Sequence, residues 1–344
     1  MRYLLAILAS IALTASAAEL PRLPVPVTNN AVTSVHTEGG TQLYTFNGLL
    51  EGKTWRDTTA RAWTLPPGAD AWVELPPVPE GEGRLASVAV TVAGRAYIFG
   101  GYTVAEDGSE ASLPYVHSIA PGETSYRRHA DMPVPVDDAV AIPYAGRYIY
   151  LVSGWHDLGN VNLVQLYDTS TDNWVQATPW PGPAVFGHAG GIVFNAMVIC
   201  DGVMVLPADD QGPRRFVMSD YCATGRFDAD DPRRIVWTHI APHPGGPRYR
   251  SAAQGSYRFV GFVGGSPVAY NYDGIGYDQT PAEPVSSWVS YDVDNGTWRR
   301  LDLGSECRPL MDRRGLARVP HGAWVAIGGM GEGREVIPEV SLEC

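Results

Sequence analysis

Lysine is nearly absent from this chain of 344 residues: Lys53 stands alone, so almost all positive charge is arginine and chemistry through a lysine Schiff base is set aside. Charge is sparse, at 18% of residues, and the balance is acidic, with a net charge of −12 and a pI near 5.1. That balance argues against nucleic acid and against an anionic membrane surface as partners, because both select basic patches. No segment after Leu20 is long and apolar enough to cross a bilayer. There is no G-x-S-x-G elbow, P-loop or H-E-x-x-H, and no CxxC or HxxxH spacing offers a zinc site. The sequence implies no cofactor and no bound metal.

What is present points to an exported β protein. Met1-Arg2-Tyr3 is a short positive start, Leu4–Leu13 is apolar apart from Ser10, and Thr14–Ala18 supplies the small residues of a signal-peptidase site. Residues 1–18 are therefore expected to be a signal peptide and 19–344 a single domain, periplasmic or secreted and not inserted in the membrane after cleavage; a membrane anchor is the rival reading. The 38 Gly and 28 Pro imply many turns, and 45% hydrophobic residues imply a large core. Four Cys in an exported chain read first as disulfides. The pairings expected are Cys200–Cys222, in a register that also sets Val205 against Val217, and Cys307–Cys344 near the chain end.

A unit of about fifty residues repeats. Arg84–Gly101 holds two strands and a Gly pair; a third strand lies near Tyr115–Ile119, and Tyr126 marks a fourth. The same grammar runs from Asp138 to Trp174, from His188 to Trp237 and from Arg248 to Trp298. An incomplete copy runs from Arg313 to Cys344 and a first one from Asn30 to Trp72. Five fourth-strand aromatics (Trp72, Tyr126, Trp174, Trp237, Trp298) serve six Gly-pair strands, so the missing outer strand is expected from Leu20–Val27, closing the ring. The expectation is an all-β, six-bladed propeller; seven blades, with a degenerate one between Gly202 and Pro247, is the runner-up.

Tyr97-Ile-Phe-Gly-Gly101 and Tyr167-Asp-Thr-Ser-Thr-Asp-Asn-Trp174 resemble the kelch repeat, over nearly all of the mature chain. An export signal, six blades and a split last blade are similar to bacterial periplasmic kelch proteins, among them the sialic acid mutarotases; the galactose-oxidase-like proteins are a second such group. The first resemblance implies a sugar isomerase needing an acid/base pair and a carboxylate anchor. A Glu that those mutarotases carry after the fourth blade's second strand is not matched in Cys200-Asp201-Gly202-Val203-Met204. The second resemblance implies a copper radical site built on a Tyr-His pair; this chain has no Tyr-His dipeptide, and Trp155-His156 alone does not make the ligand set.

Propeller geometry brings inner-strand starts and second-to-third-strand loops to one mouth. Aligned on the Gly pairs, these are Asn30, Arg84, Asp137 or Asp138, His188, Arg248 with Arg250, and Asp312 with Arg313 and Arg314. The loops add Tyr102, Trp155-His156-Asp157, Asp209-Asp210-Gln211 and Tyr270–Gln279, with Tyr272 and Tyr277. Arginines gathered in an acidic protein suit a carboxylate, and Tyr, Asn and Asp suit a hydroxyl-rich sugar. The expected binding residues are Arg84, Trp155, Arg248, Arg250, Tyr272, Tyr277, Arg313 and Arg314; the expected proton-transfer candidates are Asp138, His156, His188 and Asp278. Each has a plainer reading: for Arg84 and His188 it is service to the neighbouring blade's backbone alone, and for Asp273 with Asp278 a weak calcium loop. Two functions stand: binding, with mutarotase-like isomerisation, of an acidic sugar or similar small anion; or a non-catalytic protein-interaction ring in the cell envelope.

Overall fold

Burial along each repeat follows from its place between centre and rim. The innermost strands Val88–Val92 and Ala189–Val193 alternate buried and half-buried positions, one face toward the blade and one toward the channel. The second strands Tyr148–Val152 and Ala196–Cys200 are apolar almost throughout, because each is covered by a neighbouring blade on both faces. The outer strands Asn173–Gln176 and Thr297–Asp302 are exposed except at Trp174 and Trp298. The computed structural model describes residues 20–207, 214–302, 304 and 308–342. The expected signal peptide, Asp209–Gln211 and the Cys307–Cys344 pair lie outside the described residues.

Six blades succeed one another. Blade 1 is Ala31–Thr37, Gly40–Leu49, Thr58–Leu65 and Val73–Leu75, antiparallel in that order. Blades 2 to 5 repeat it, beginning at Val88, Val140, Ala189 and Ala252. Blade 6 has three strands, Ala317–Arg318, Trp324–Ile327 and Val340–Leu342. Between second and third strands, blades 2 and 3 insert hairpins at Tyr102–Ser112 and Trp155–Asn160, and blade 4 inserts the paired strands Val203–Leu206 and Arg215–Met218. Apolar clusters join each blade to the next, and another joins blade 6 to blade 1.

Asn47-Gly48, Gly100-Gly101, Ser153-Gly154, Asp201-Gly202, Gly264-Gly265 and Gly328-Gly329 all have positive φ at both positions. The second is always Gly because its N–H must reach the next blade: Gly48, Gly154, Gly202 and Gly265 donate to Arg84, Val185, Arg248 and Leu310 carbonyls, and Gly329 donates to Val27. A Cβ on Gly101 would come within 2.7 Å of the Leu85 carbonyl.

The outer aromatics show how the ring closes. The Trp174, Trp237 and Trp298 indoles donate to Ala130, Thr178 and Ala241 carbonyls, just beyond the preceding blade's outer strand, and the Tyr126 hydroxyl donates to Pro76. Trp72 makes the equivalent bond to Pro21 at 2.8 Å. The segment from Leu20 thus stands where blade 6 would carry its outer strand, with Leu23 N–H donating to Pro338 and Val27 N–H to Ile337.

The Cys200–Cys222 disulfide is present, both residues fully buried. Its register belongs to the second and third strands of blade 4, where Ala196 faces Arg226. The inserted hairpin instead pairs Val205 with Phe216, one residue off the expected Val217. The slip arises at Asp201-Gly202, where the chain leaves one ladder for the other.

Candidate functional site

Where each blade's inner strand begins, one residue turns into the left-handed region: Asn29, Ala86, Asp138, Gly187, Arg250 and Asp312. These six form a collar. Asn29 N–H donates to Asp312 O, Asp138 to Ala86, Gly187 to Asp138 and Arg250 to Gly187; Ala86 N–H donates to the Asn29 side-chain oxygen, and Arg313 N–H, next to Asp312, closes the circuit on the Arg250 carbonyl.

Two arginines and two aspartates fill the collar. Arg250 bonds Asp138 at 2.7 Å and Asp312 at 3.2 Å, while Arg314 meets the same two carboxylates at 3.0 and 3.3 Å. Thr28 and Asn29 side chains also donate to Asp312. Burial alone would raise Asp138, but Arg250 and Arg314 outweigh it and hold it below the usual carboxylate range. Asp137, next in sequence, goes the other way: burial, then the Asp138 charge, push it well above that range, against the Ser112 hydroxyl and the Arg250 charge. Two adjacent carboxyls are thereby shifted in opposite directions.

Above the collar lies a cavity of about 320 Å³. Tyr102, Trp155, Phe186, Phe216 and Tyr277 give it aromatic walls; Glu110, Asp137, Asp138, Arg214, Arg250 and Asn271 give it polar ones. Tyr277 lies flat on Phe216, ring centroids 3.5 Å apart, and Arg214 stands over Trp155 at 5.9 Å. Among the described residues Arg214 has no carboxylate partner, whereas Arg250 has two. Below the collar a narrower channel of about 100 Å³ runs between the inner strands, lined by Asp138, His188, Gln254, Arg313 and Arg314 among others.

The structure therefore divides the residues singled out by sequence. Asp138, Trp155, Arg250 and Tyr277 share the upper cavity. His188, Arg313 and Arg314 line the channel; His188 bonds the Val152 carbonyl at 2.9 Å, and burial lowers its pKa to about 4. Arg84 and Arg248 sit two residues before the collar and turn into their own blades. Arg248 donates to Ser287 O and Oγ, both at 3.0 Å, and more weakly to Phe262 and Gly264 carbonyls. Arg84 donates to Pro79, Glu80 and Gly100 carbonyls. Both are buried, so neither presents a guanidinium to a ligand, which corrects their expected place at the mouth. His156 is half-buried in the blade 3 hairpin, outside the cavity lining.

Tyr272 packs under Leu49 and Tyr102. Asp278 is exposed and accepts from Thr280 N–H, as Asp273 does from Ile275, so both serve turns. Among the described residues no group of three acidic, His or Cys side chains could hold a metal. Sequence reasoning did not single out Glu110, which the alternation of Tyr102, Val104, Glu110 and Ser112 along one hairpin places at the cavity.

Six blades, six corners that each end in Gly, and the aromatic-sealed rim define a kelch-type β-propeller. No known protein-family profile matches the chain. It is 31% identical to Kelch-like protein 15 of Gallus gallus over 107 residues, 31% of this chain and 22% of that one; the Mus musculus protein matches equally over 17% of its length. The chain thus spans about a fifth of these curated relatives. The solved structure of YjhT superposes with a TM-score of 0.71 over 94% of this chain and 96% of that one, at 16% identity, a likeness of fold.

Proposed function

We propose that the chain is an exported bacterial protein, a single domain after its signal peptide, that binds an acidic sugar or similar small anion in the cavity above the collar and interconverts its anomers. The observation that carries this reading is the cavity wall itself. Stacked aromatics and convergent polar groups are what a pyranose ring requires, and Arg214 offers a planar fork for a carboxylate beside Trp155. The buried disulfide and the apolar N-terminal run support export. The test is NMR of freshly dissolved N-acetylneuraminate with catalytic amounts of protein. Faster equilibration of anomers and saturation transfer to the sugar, both weakened about tenfold or more in Arg214→Ala, are expected; no transfer and no acceleration would sink the reading.

A second reading, a protein-interaction ring, is favoured by one observation on the opposite face. An open apolar groove of about 330 Å³ runs between blades 5 and 6, lined by half-buried Phe259, Trp288 and Trp324 and by exposed Leu301, and apolar grooves lined by aromatics are common at interfaces.

A further inference from the structure

Asp137 and Glu110 reach the cavity by different routes, and the fold fixes their relation. Asp137 is pinned by its backbone, which exchanges hydrogen bonds with Trp155 at 3.0 and 2.9 Å. Its Oδ2 accepts from the Ser112 hydroxyl at 2.7 Å, and among the described residues Oδ1 has no hydrogen bond. Ser112 N–H is itself held by Asp157 at 2.7 Å. Glu110 lies two residues before Ser112 in the same strand, so both side chains leave the same face about 7 Å apart. One carboxyl is thus buried at the cavity floor and the other stands open at its wall, about a sugar ring's reach away.

We propose that Glu110 and Asp137 are the proton-transfer pair of this cavity, a role that rests on the sugar-isomerase reading above. Asp137 gives its proton to the ring oxygen as the bond from that oxygen to the anomeric carbon breaks, the electron pair staying on oxygen. Glu110 takes the proton of the anomeric hydroxyl, whose O–H electrons become the second bond of a carbonyl. Rotation about the neighbouring carbon–carbon bond exposes the other carbonyl face, and closure runs both transfers backwards. No co-reactant is consumed. The surroundings agree: burial and the Asp138 charge favour the protonated form of Asp137, while partial desolvation at the cavity wall, opposed by Arg250, raises Glu110. The other ionisable groups around the pair include Asp138 and Arg250 below, Tyr102, Arg214 and Tyr277 at the walls, and Asp157 and Tyr272 beside the hairpin that carries Glu110.

The experiment measures anomer exchange of N-acetylneuraminate by NMR for the native protein, Asp137→Asn and Glu110→Gln, with saturation transfer as a separate binding readout and unfolding midpoints to confirm folding. The expected result is a rate loss of about 10²-fold or more in each folded variant, with binding retained and one limb of the native pH–rate profile lost in each. A native protein that accelerates exchange alongside variants that match it overturns the pair alone. A native protein that binds the sugar without accelerating exchange overturns both the pair and the isomerase reading. No binding at all removes the acidic-sugar reading with them.

Discussion

Arg248 and Arg250 are two residues apart in one strand start, yet they inhabit different chemistry. Arg250 lies in the collar, facing Asp138 of blade 3 and Asp312 of blade 6. Arg248 lies at the blade corner, surrounded by carbonyl oxygens of its own blade and the Ser287 hydroxyl. In a regular strand, residues i and i+2 share a face. Here the left-handed φ of 53° at Arg250 breaks the alternation, so one guanidinium is sent toward the ring's axis and the other away from it. Burial lowers the proton affinity of Arg248, while its effect on Arg250 is overcome by Asp138, Tyr249 and Asp312. Similar buried arginines hold different things together: Arg248 stabilises one blade, Arg250 ties three blades to each other.

Removing the collar cation should have the largest effect. Arg250→Ala leaves Asp138 and Asp312 sharing Arg314 alone, and loss of one partner from a buried ion pair costs about 3–5 kcal/mol. Urea unfolding should show that loss, and Arg250→Ala combined with Asp138→Asn should recover part of it, because the second change removes the stranded charge. If the double variant is destabilised by the sum of the two single ones, the collar is not one electrostatic unit.

Arg248→Ala should cost less, about 1–3 kcal/mol, because it strands neutral carbonyls and a hydroxyl instead of ionised carboxylates. The comparison sharpens in the functional readout: sugar binding in the upper cavity should be unchanged in Arg248→Ala, since its side chain never reaches that cavity. Weakened binding in a variant with a native unfolding midpoint would erase the distinction between corner and collar.

The kelch frame was legible because its signals are backbone requirements repeated six times. Gly pairs mark corners where a Cβ cannot fit, and Trp72 bonding Pro21 fulfils the count of five outer aromatics for six blades. The site was legible only in part. Aligning on Gly pairs brought Asp138 and Arg250 to one place but carried Arg84 and Arg248 with them, because a sign change in φ at one residue has no residue-type signature when Asn, Ala, Asp, Gly and Arg all occupy that position. Glu110 went unnoticed because the hairpins after the Gly pairs differ in length and sequence from blade to blade, so no repeat predicts what they carry inward.

The channel below the collar offers the mildest test of the same contrast. His188 is buried there, its Nε2–H donating to the Val152 carbonyl, and burial lowers its pKa to about 4, with that bond and Asp138 opposing. The unfolded chain takes up a proton near pH 6.5. Above that pH the residue is neutral in both states and stability is intact. As pH falls from about 6.5 to about 4, only the unfolded chain is protonated, and stability drops by up to about 1.4 kcal/mol per pH unit; below about 4 both states carry the proton and the slope ends. His117, held down to about 3 by burial and by Arg84 and Arg128, adds a similar slope. His188→Gln keeps a donor for Val152 but cannot titrate, so its unfolding free energy should fall less steeply than the native one between pH 6.5 and 4, with His117 and His129, both lowered by burial, contributing to the slope that remains. Equal slopes would mean that water already reaches His188 in the folded ring.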